Sequence, residues 1–571
     1  MDKQTLARKI WESANAMRAS GMNATDYKDF ILGFIFYKYL SDTETAELIK
    51  LGVSPDEFKE VLTPDNADMA KYCGENIGYY IPYEFLYSTW LEMGFDFTIK
   101  TVTDSIRSFK NSISDEYRKV FDKIFDAFEV NFTKLGMSDK DQTKFSLKLV
   151  QIVKEIPTDN RGYDTLGFIY EYLVGQFAAN AVKKAGEFYT PHEVSLFMAE
   201  IVANHLRDRE DIQIYDPTCG SGSLLINIGD ASSAYLDKNK ISYYGQEWKI
   251  ETYNIARMNL LMRGVNPSQI LLRKTDNTLG EDWPMFEEGK PETYQLLLVD
   301  AVVSNPPYSQ HWTPPEPGAD RRFDYGLAPP GKADFAFLQH SLYHLKQDGI
   351  MAIVLPHGVL FRGNEEYEIR RKLIENNQID AIIGLPENMF FGTTIQTLVM
   401  ILKKDRKEDD ILFVDASRGF IKNGNKNALR MCDVKKIVDT VVNREETQYY
   451  SHRAGPEEVK SNGYNLNIAR YVESPDKPEQ YDIFATMLGG VPPDELDSLS
   501  KYWDVVPSLK DSLFKVNENG YYDLVSDNVK KTVNENDDVK SFRRLFNERL
   551  SGFDQYLKKE LIDNLNTVNV A

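Results

Sequence analysis

Cysteine is scarce. Cys73, Cys219 and Cys432 are the only three, odd in number and far apart, which excludes a disulfide framework and points to a reducing compartment. No zinc-ligand spacing runs through the chain, so no metal is expected. No apolar run approaches the ~20 residues needed to cross a bilayer, and the polar, charged N-terminus carries no signal-peptide pattern. The expectation is a cytoplasmic protein with no membrane contact. A Gly-x-x-x-x-Gly-Lys-[Ser/Thr] loop is missing, which removes an ATP-driven motor, and no nuclease site stands out. Positive charge is also short: 67 Lys and Arg face 87 Asp and Glu, a net charge of −20. A chain that gripped a nucleic-acid backbone unaided would show a basic face. Either a local groove is basic here, or another subunit supplies most of the grip.

What is present is ordinary globular material, 42% hydrophobic and 27% charged over 571 residues, enough for two or three domains with substantial cores. The chain is organised around Ile212 to Leu225, where a short apolar run ends in a carboxylate, Asp216, followed by a proline and by Gly220 and Gly222 flanking Ser221. The pattern is a strand, a tight turn and a helix start at Ser223. Glycines there permit close approach of a ligand to the main chain at the helix N-terminus. A second stretch lies downstream. The run Leu296 to Val303, apolar apart from Asp300, reads as a buried parallel strand that stops at Asn305-Pro306-Pro307-Tyr308. Ligands bind at the carboxyl edge of such sheets, so both turns belong on one side.

Asp216-Pro217-Thr218-Cys219-Gly220-Ser221-Gly222 together with Asn305-Pro306-Pro307-Tyr308 resembles the amino-methyltransferases that methylate adenine N6 in DNA with S-adenosylmethionine. More narrowly, the chain resembles the modification subunit of type I restriction-modification systems over about residues 1 to 475. The resemblance implies an α/β fold: a Rossmann-like S-adenosylmethionine-dependent methyltransferase core at 181–475, an N-terminal helical domain at 1–180, and a C-terminal region at 476–571 with a helical tail for subunit contacts. It implies as partners DNA, a separate specificity subunit that reads the site, a second copy of the chain, and a restriction subunit where the system has one. The negative charge then ceases to be awkward.

Taken in order, residues 1 to about 180 read as helical, with apolar spacing of three and four through Phe30, Ile31, Phe34, Ile35, Tyr37 and Leu40, and again over Ser114 to Phe128. Aromatics at Tyr79, Tyr80, Tyr83, Phe85, Tyr87 and Trp90 read as core rather than as a stacking surface. The resemblance implies that this domain helps to clamp DNA. A helix over 162–184 leads to Glu187-Phe188-Tyr189-Thr190-Pro191-His192, where Thr190 suits an N-cap and Pro191 the first helical position. The resemblance makes this hexapeptide the first cofactor motif, around the methionine part of S-adenosylmethionine.

Beyond the glycine loop, Ser242 to Glu247 reads as a second strand. Its terminal Glu247, about 30 residues past the loop, is the candidate ligand for ribose hydroxyls. A helix over 249–263 and a strand over 269–274 follow, and the resemblance places Asp276 against the cofactor's adenine ring. Residues 309–332, with five prolines and with Arg321, Arg322 and Lys332, form an irregular loop expected to cover the site or touch DNA. Helix 333–345 and strands over 349–356, 378–385 and 396–402 complete the domain, the last as its closing strand. Between those two strands the resemblance makes Phe390 or Phe391 a second wall for an extruded base. From Tyr471 on the chain turns acidic, with 12 Lys and Arg against 19 Asp and Glu, and ends in amphipathic spacing over 539–565 that either closes the fold or docks on a partner's helices.

The chemistry follows from adenine itself. Its N6 lone pair is delocalised into the ring, and hydrogen bonds to the Asn305 side-chain oxygen and the Pro306 carbonyl favour a more sp³-like, nucleophilic nitrogen; Asn is no base. The target must leave the duplex, and Tyr308 offers it an aromatic face. In the family Asn at the first motif position fits adenine N6, whereas Ser leans to cytosine N4. Protein glutamine and ribosomal RNA methyltransferases also use Asn-Pro-Pro-Tyr, but with a different first loop and generally in shorter chains. A cofactor-binding scaffold without turnover is the remaining alternative, and intact Asn305 and Tyr308 argue against it.

Overall fold

The computed structural model describes residues 3–17, 24–130, 138–158, 169–170, 172–173, 175–176, 190–280, 282–287, 290–390, 393–474 and 482–561. The chain divides into two compact units, Met1–Ser474 and Pro475–Ala571. Among the described residues no helix is long and apolar enough to cross a membrane.

The first unit opens with helices. Ala24–Lys50 is apolar around its whole middle: Phe30, Ile31, Leu32, Phe34, Ile35, Phe36, Tyr37 and Leu40 are all buried, so it is a core helix. Tyr79, Tyr80, Tyr87 and Trp90 join that core, with the Tyr37 ring stacked on Trp90 at 4.5 Å. The segment 114–128 is not one helix. It breaks into Arg118–Phe121 and Asp126–Val130 because Lys123 turns left-handed, φ 57°. This region is built onto the rest of the unit: Tyr39 donates its hydroxyl to the Leu261 carbonyl at 2.8 Å, and Arg257 Nη1 donates to the carbonyls of Val120 and Asp122 at 3.0 and 2.9 Å.

A nine-stranded sheet carries the remainder. Its strands are β1 (Ile212–Asp216), β2 (Ile241–Glu247), β3 (Ile270–Lys274), β6 (Val299–Ser304), β7 (Leu345–Pro356), β8 (Ile379–Gly384), β9 (Thr397–Lys403), β10 (Ile411–Asp415) and β13 (Ser451–Ala454). Two hairpins stand outside it, β4 (Pro284–Glu287) with β5 (Lys290–Leu296), and β11 (Ile421–Asn423) with β12 (Lys426–Ala428). The sheet order is β13-β10-β8-β9-β7-β6-β1-β2-β3; β9 runs antiparallel to both neighbours, β13 antiparallel to β10, and the rest are parallel. Strand β9, expected to close the sheet, is therefore interior. Two further strands extend the sheet beyond β8, and their short runs are too brief to register as periodic.

The one acid in the β6 run has a structural use. Buried Asp300 accepts from the Gln213 N–H of β1 at 2.9 Å and from Lys346 Nζ of β7 at 2.9 Å, so it pins the strand on both sides. The order reverses between β1 and β6, since the chain leaves β1 towards β2 on one side and returns through β6 on the other. That switch point opens a crevice at the carboxyl ends of the strands.

The second unit holds short helices, a small hairpin Phe514–Val516 with Tyr522–Leu524, and a core of Val506, Leu509, Leu513 and Val539. Its expected terminal helix is two, Asp537–Arg549 and Phe553–Leu561, parted at Gly552, φ 90°. Phe542, Leu545, Phe546, Leu550, Phe553 and Tyr556 on them are exposed.

Candidate active site

The crevice is built from two turns at adjacent strand ends. After β1 the buried Asp216 carboxylate accepts the Thr218 N–H at 2.9 Å and closes the turn. Gly220 and Gly222 then take φ of 53° and 79°, where a side chain is strained, and Gly222 caps the helix Ser223–Ser232. Gly220 N–H donates to Glu247 Oε2 at 3.1 Å, and Lys249 N–H donates to Glu247 Oε1 at 2.9 Å. Glu247 therefore fastens the glycine turn to the end of β2. Ser221 and Ser223 hydroxyls lie 3.1 Å apart. Cys219 is small for a reason: its Sγ stands 3.1 Å from where a Cβ on Gly245 of β2 would be. Burial, with Asp216 and Glu247 adding, pushes its thiol well up, so it is no nucleophile.

After β6 comes the second turn. Asn305 Nδ2 donates to Thr190 Oγ1 at 2.8 Å, and the Tyr308 hydroxyl donates to Asn305 Oδ1 at 2.8 Å. Both ends of the carboxamide are thus assigned, and Oδ1 keeps one lone pair. Ser309, left-handed at φ 50°, is held by its N–H on Asp334 Oδ1 at 2.7 Å, while Arg362 Nη1 holds Asp334 Oδ2 at 3.0 Å. A hydroxyl pair joins the turns, Thr218 Oγ1 to Ser304 Oγ at 2.9 Å. The helix His192–Leu206 starts one residue later than expected. Pro191, not Thr190, is its N-cap, and the Thr190 hydroxyl accepts from Asn305 instead. His192 is exposed in its first turn.

Of the other expected residues, Pro306 is buried and Pro307 half-buried within the turn, and Asp276 is an exposed bend residue paired with Lys274 just past β3. Phe390 is buried edge-on to Tyr308, ring centres 6.1 Å apart at 75°. Glu187, Phe188, Tyr189 and Phe391 lie outside the described residues, as does most of the helix expected over 162–184.

Residue pattern did not reveal a buried polar chain behind the crevice. Arg322 Nη1 donates to His340 Nδ1 at 3.0 Å, so His340 carries its proton on Nε2, 2.8 Å from the Tyr215 hydroxyl, which in turn donates to Gln246 Oε1. Burial, then His344 and Arg322, hold His340 well below the usual imidazole range, in keeping with a neutral ring. Asp282, His340 and His344 gather within 4.8 Å of one another, but both His340 nitrogens are taken, so the cluster is a hydrogen-bonded core rather than a metal centre.

The profile of a family described as N-6 DNA methylase matches residues 161–480, and that of the HsdM N-terminal domain matches 6–154. The chain is 31% identical to the type I restriction enzyme MpnII methylase subunit of Mycoplasma pneumoniae, over 83% of this chain and 90% of that one. It belongs to the N-6 DNA methylase family, among the methylase subunits of type I restriction enzymes. The MjaVII methylase subunit of Methanocaldococcus jannaschii is 29% identical over 84% of this chain and 80% of its own. A type I restriction-modification methyltransferase subunit from Streptococcus thermophilus, known from its crystal structure, superposes with TM-score 0.75 at 38% identity, covering 83% of this chain and all of that one. The fold of this methylase is accordingly an α/β methyltransferase core with a helical N-terminal region.

Proposed function

We propose that this chain is the catalytic subunit of a type I modification complex, transferring a methyl group from S-adenosylmethionine to adenine N6 in DNA at a site read by a separate specificity subunit. The observation that carries the reading is the Thr190–Asn305–Tyr308 hydrogen-bond chain at the switch point, tied through Thr218 and Ser304 to the glycine turn. The residues fit the cofactor: a left-handed glycine turn at a helix N-terminus, the Glu247 carboxylate at the end of β2 beside that turn, and the exposed Asp276 beyond β3. When bound, S-adenosylmethionine supplies an electrophilic methyl group on a sulfonium. The remaining lone pair of Asn305 Oδ1, with the Pro306 carbonyl, receives the two N6–H bonds and draws electron density onto nitrogen. Tyr308 backs the extruded base; Phe390, edge-on to Tyr308 with no slot between the rings, serves as its second wall only by moving aside, and Phe391 lies outside the described residues. The exposed apolar face of the last two helices supports docking of the tail on partner subunits, among them a second copy of this chain.

The test is mass spectrometry of nucleosides from unmodified genomic DNA incubated with labelled S-adenosylmethionine, this chain, and its cognate specificity subunit. Labelled N6-methyladenine that requires both subunits is expected. Label on cytosine, RNA or protein overturns the reading.

One pH dependence follows. Burial pushes Asp216 up to about 7, against the two Thr218 hydrogen bonds and with Glu247 adding to the rise. In the free protein near neutrality the carboxyl is therefore partly protonated. A cationic ligand in the crevice favours the ionised form, so binding expels a proton and affinity rises with pH, by up to about tenfold per unit below pH ~7, then levels. Calorimetry in buffers of different ionisation enthalpy is expected to show this proton release for wild type and its loss in Asp216→Asn. Equal release in both proteins would remove Asp216 from the linkage.

A further inference from the structure

Hairpin β11–β12 reaches under the segment that carries Phe390. Lys426 Nζ donates to Asn388 Oδ1 at 2.9 Å, to the Phe390 carbonyl at 2.6 Å and to the Thr393 carbonyl at 2.9 Å. Three acceptors of one segment thus converge on this ammonium. Its neighbours reinforce the clamp: Asn388 Nδ2 donates to the Asn425 carbonyl at 2.7 Å, Asn427 Nδ2 donates to the Glu387 carbonyl at 2.7 Å, and Asn427 N–H donates to the Asn388 carbonyl at 3.2 Å. Asn388 is left-handed, φ 55°, in the turn between β8 and β9. From that turn Phe390 meets Tyr308 edge-on, and at 6.1 Å and 75° the two rings leave no slot between them for a base. The position of Phe390 thus decides which part of the Tyr308 ring is open.

We infer that Lys426 is a positioning residue for the base pocket, acting through Phe390 on Tyr308. The inference rests on the proposed adenine chemistry and adds a residue more than 100 positions from Tyr308 in sequence. Its ammonium is engaged by the segment that carries Phe390. Removing its ammonium takes away the bonds at Asn388, Phe390 and Thr393 and leaves only those of Asn425 and Asn427 to hold Glu387 and Asn388, and a displacement of about 1 Å at a reacting centre costs on the order of 100-fold.

The experiment uses the full chain with its specificity subunit and genomic DNA. Lys426→Met is expected to lower kcat about 10- to 100-fold while the Kd for S-adenosylmethionine stays within about twofold, and Lys426→Arg to recover part of the loss. Hydrogen exchange in the peptide covering 386–395 is expected to quicken while β7 and β9 keep their protection. In a Phe390→Ala background the Lys426→Met change is expected to cost little more, since both act through one ring. A kcat within about twofold of wild type overturns the proposal, and so does a full additive loss in the double variant. Should Lys426→Met fail to fold, Lys426→Gln, which keeps two donors, gives the same readings at smaller amplitude. A wild-type complex that makes no N6-methyladenine fails differently: it sinks the adenine reading, and this proposal with it.

Discussion

Asn305→Ala is expected to lower methyl transfer by about 10²- to 10³-fold, the loss typical of removing one preorganised hydrogen-bonding group from a polar transition state, ~3–4 kcal/mol. The change leaves the fold alone, because Asn305 is half-buried at a turn and its two partners are hydroxyls that water can serve. Cofactor affinity is expected to stay unchanged, since the glycine turn is held by Asp216 and Glu247 and not by Asn305. Complex assembly is likewise expected to be intact. The useful companion is Thr190→Val, which removes the acceptor of Asn305 Nδ2 and keeps the side chain's volume. The carboxamide then loses its anchor but not its oxygen, so a smaller loss is expected, confined to kcat. Single-turnover methylation with equilibrium cofactor binding separates these effects. An Asn305→Ala protein with wild-type kcat would remove the carboxamide from the chemistry.

The two turns were legible because their signals are local. Proline and glycine act on their own torsions, and a buried parallel strand is written as a continuous apolar run, so β1, β2, β6 and β7 were all marked near their observed ends. The aromatic run from Tyr79 to Trp90 was legible as core on the same ground. What escaped depends on partners distant in sequence. Thr190 has the makings of a helix cap, yet its hydroxyl serves a residue 115 positions away. β9 has the makings of a closing strand, yet β10 and β13 pair beyond β8. Lys426 sits in an exposed-looking run of Lys and Asn, and only the fold shows its ammonium against three acceptors. Arg322 stands in a loop expected to cover the site or touch DNA, but its own side chain is only 4% exposed.

That burial makes Arg322 the site of the largest expected stability loss. All five of its N–H groups are used: Nε and Nη2 on Asp320, Nη2 also on the Leu279 carbonyl at 2.9 Å, and Nη1 on the Thr278 carbonyl at 3.2 Å and His340 Nδ1. The residue therefore joins three pieces: the 309–332 loop, the segment just past Asp276, and the helix Asp334–Tyr343. The loop also bonds within itself, the Trp312 N–H and Nε1 donating to the Pro330 and Pro329 carbonyls, and to the helix, where Gln339 accepts the Tyr325 N–H at 3.2 Å and donates to the Gly326 carbonyl at 2.9 Å. Arg322→Met fills similar space but strips the guanidinium from Asp320, two carbonyls and a ring nitrogen, leaving Asp320 only the backbone N–H of residue 322, and a loss of ~3–5 kcal/mol is expected on breaking a buried pair of this kind. Arg322→Lys keeps the charge with three donors and no planar fork, and is expected to fall between. Urea unfolding measures both. Since the 278–279 carbonyls follow Asp276, the same variant is expected to weaken S-adenosylmethionine binding under conditions where it is still folded, whereas Lys426→Met is not. If Arg322→Met unfolds within about 1 kcal/mol of wild type, the apolar side chain has replaced the network without loss, an outcome known for buried ion pairs. The loop's attachment would then rest on its bonds to the helix Asp334–Tyr343, Ser309 N–H on Asp334 and Gln339 on Tyr325 and Gly326.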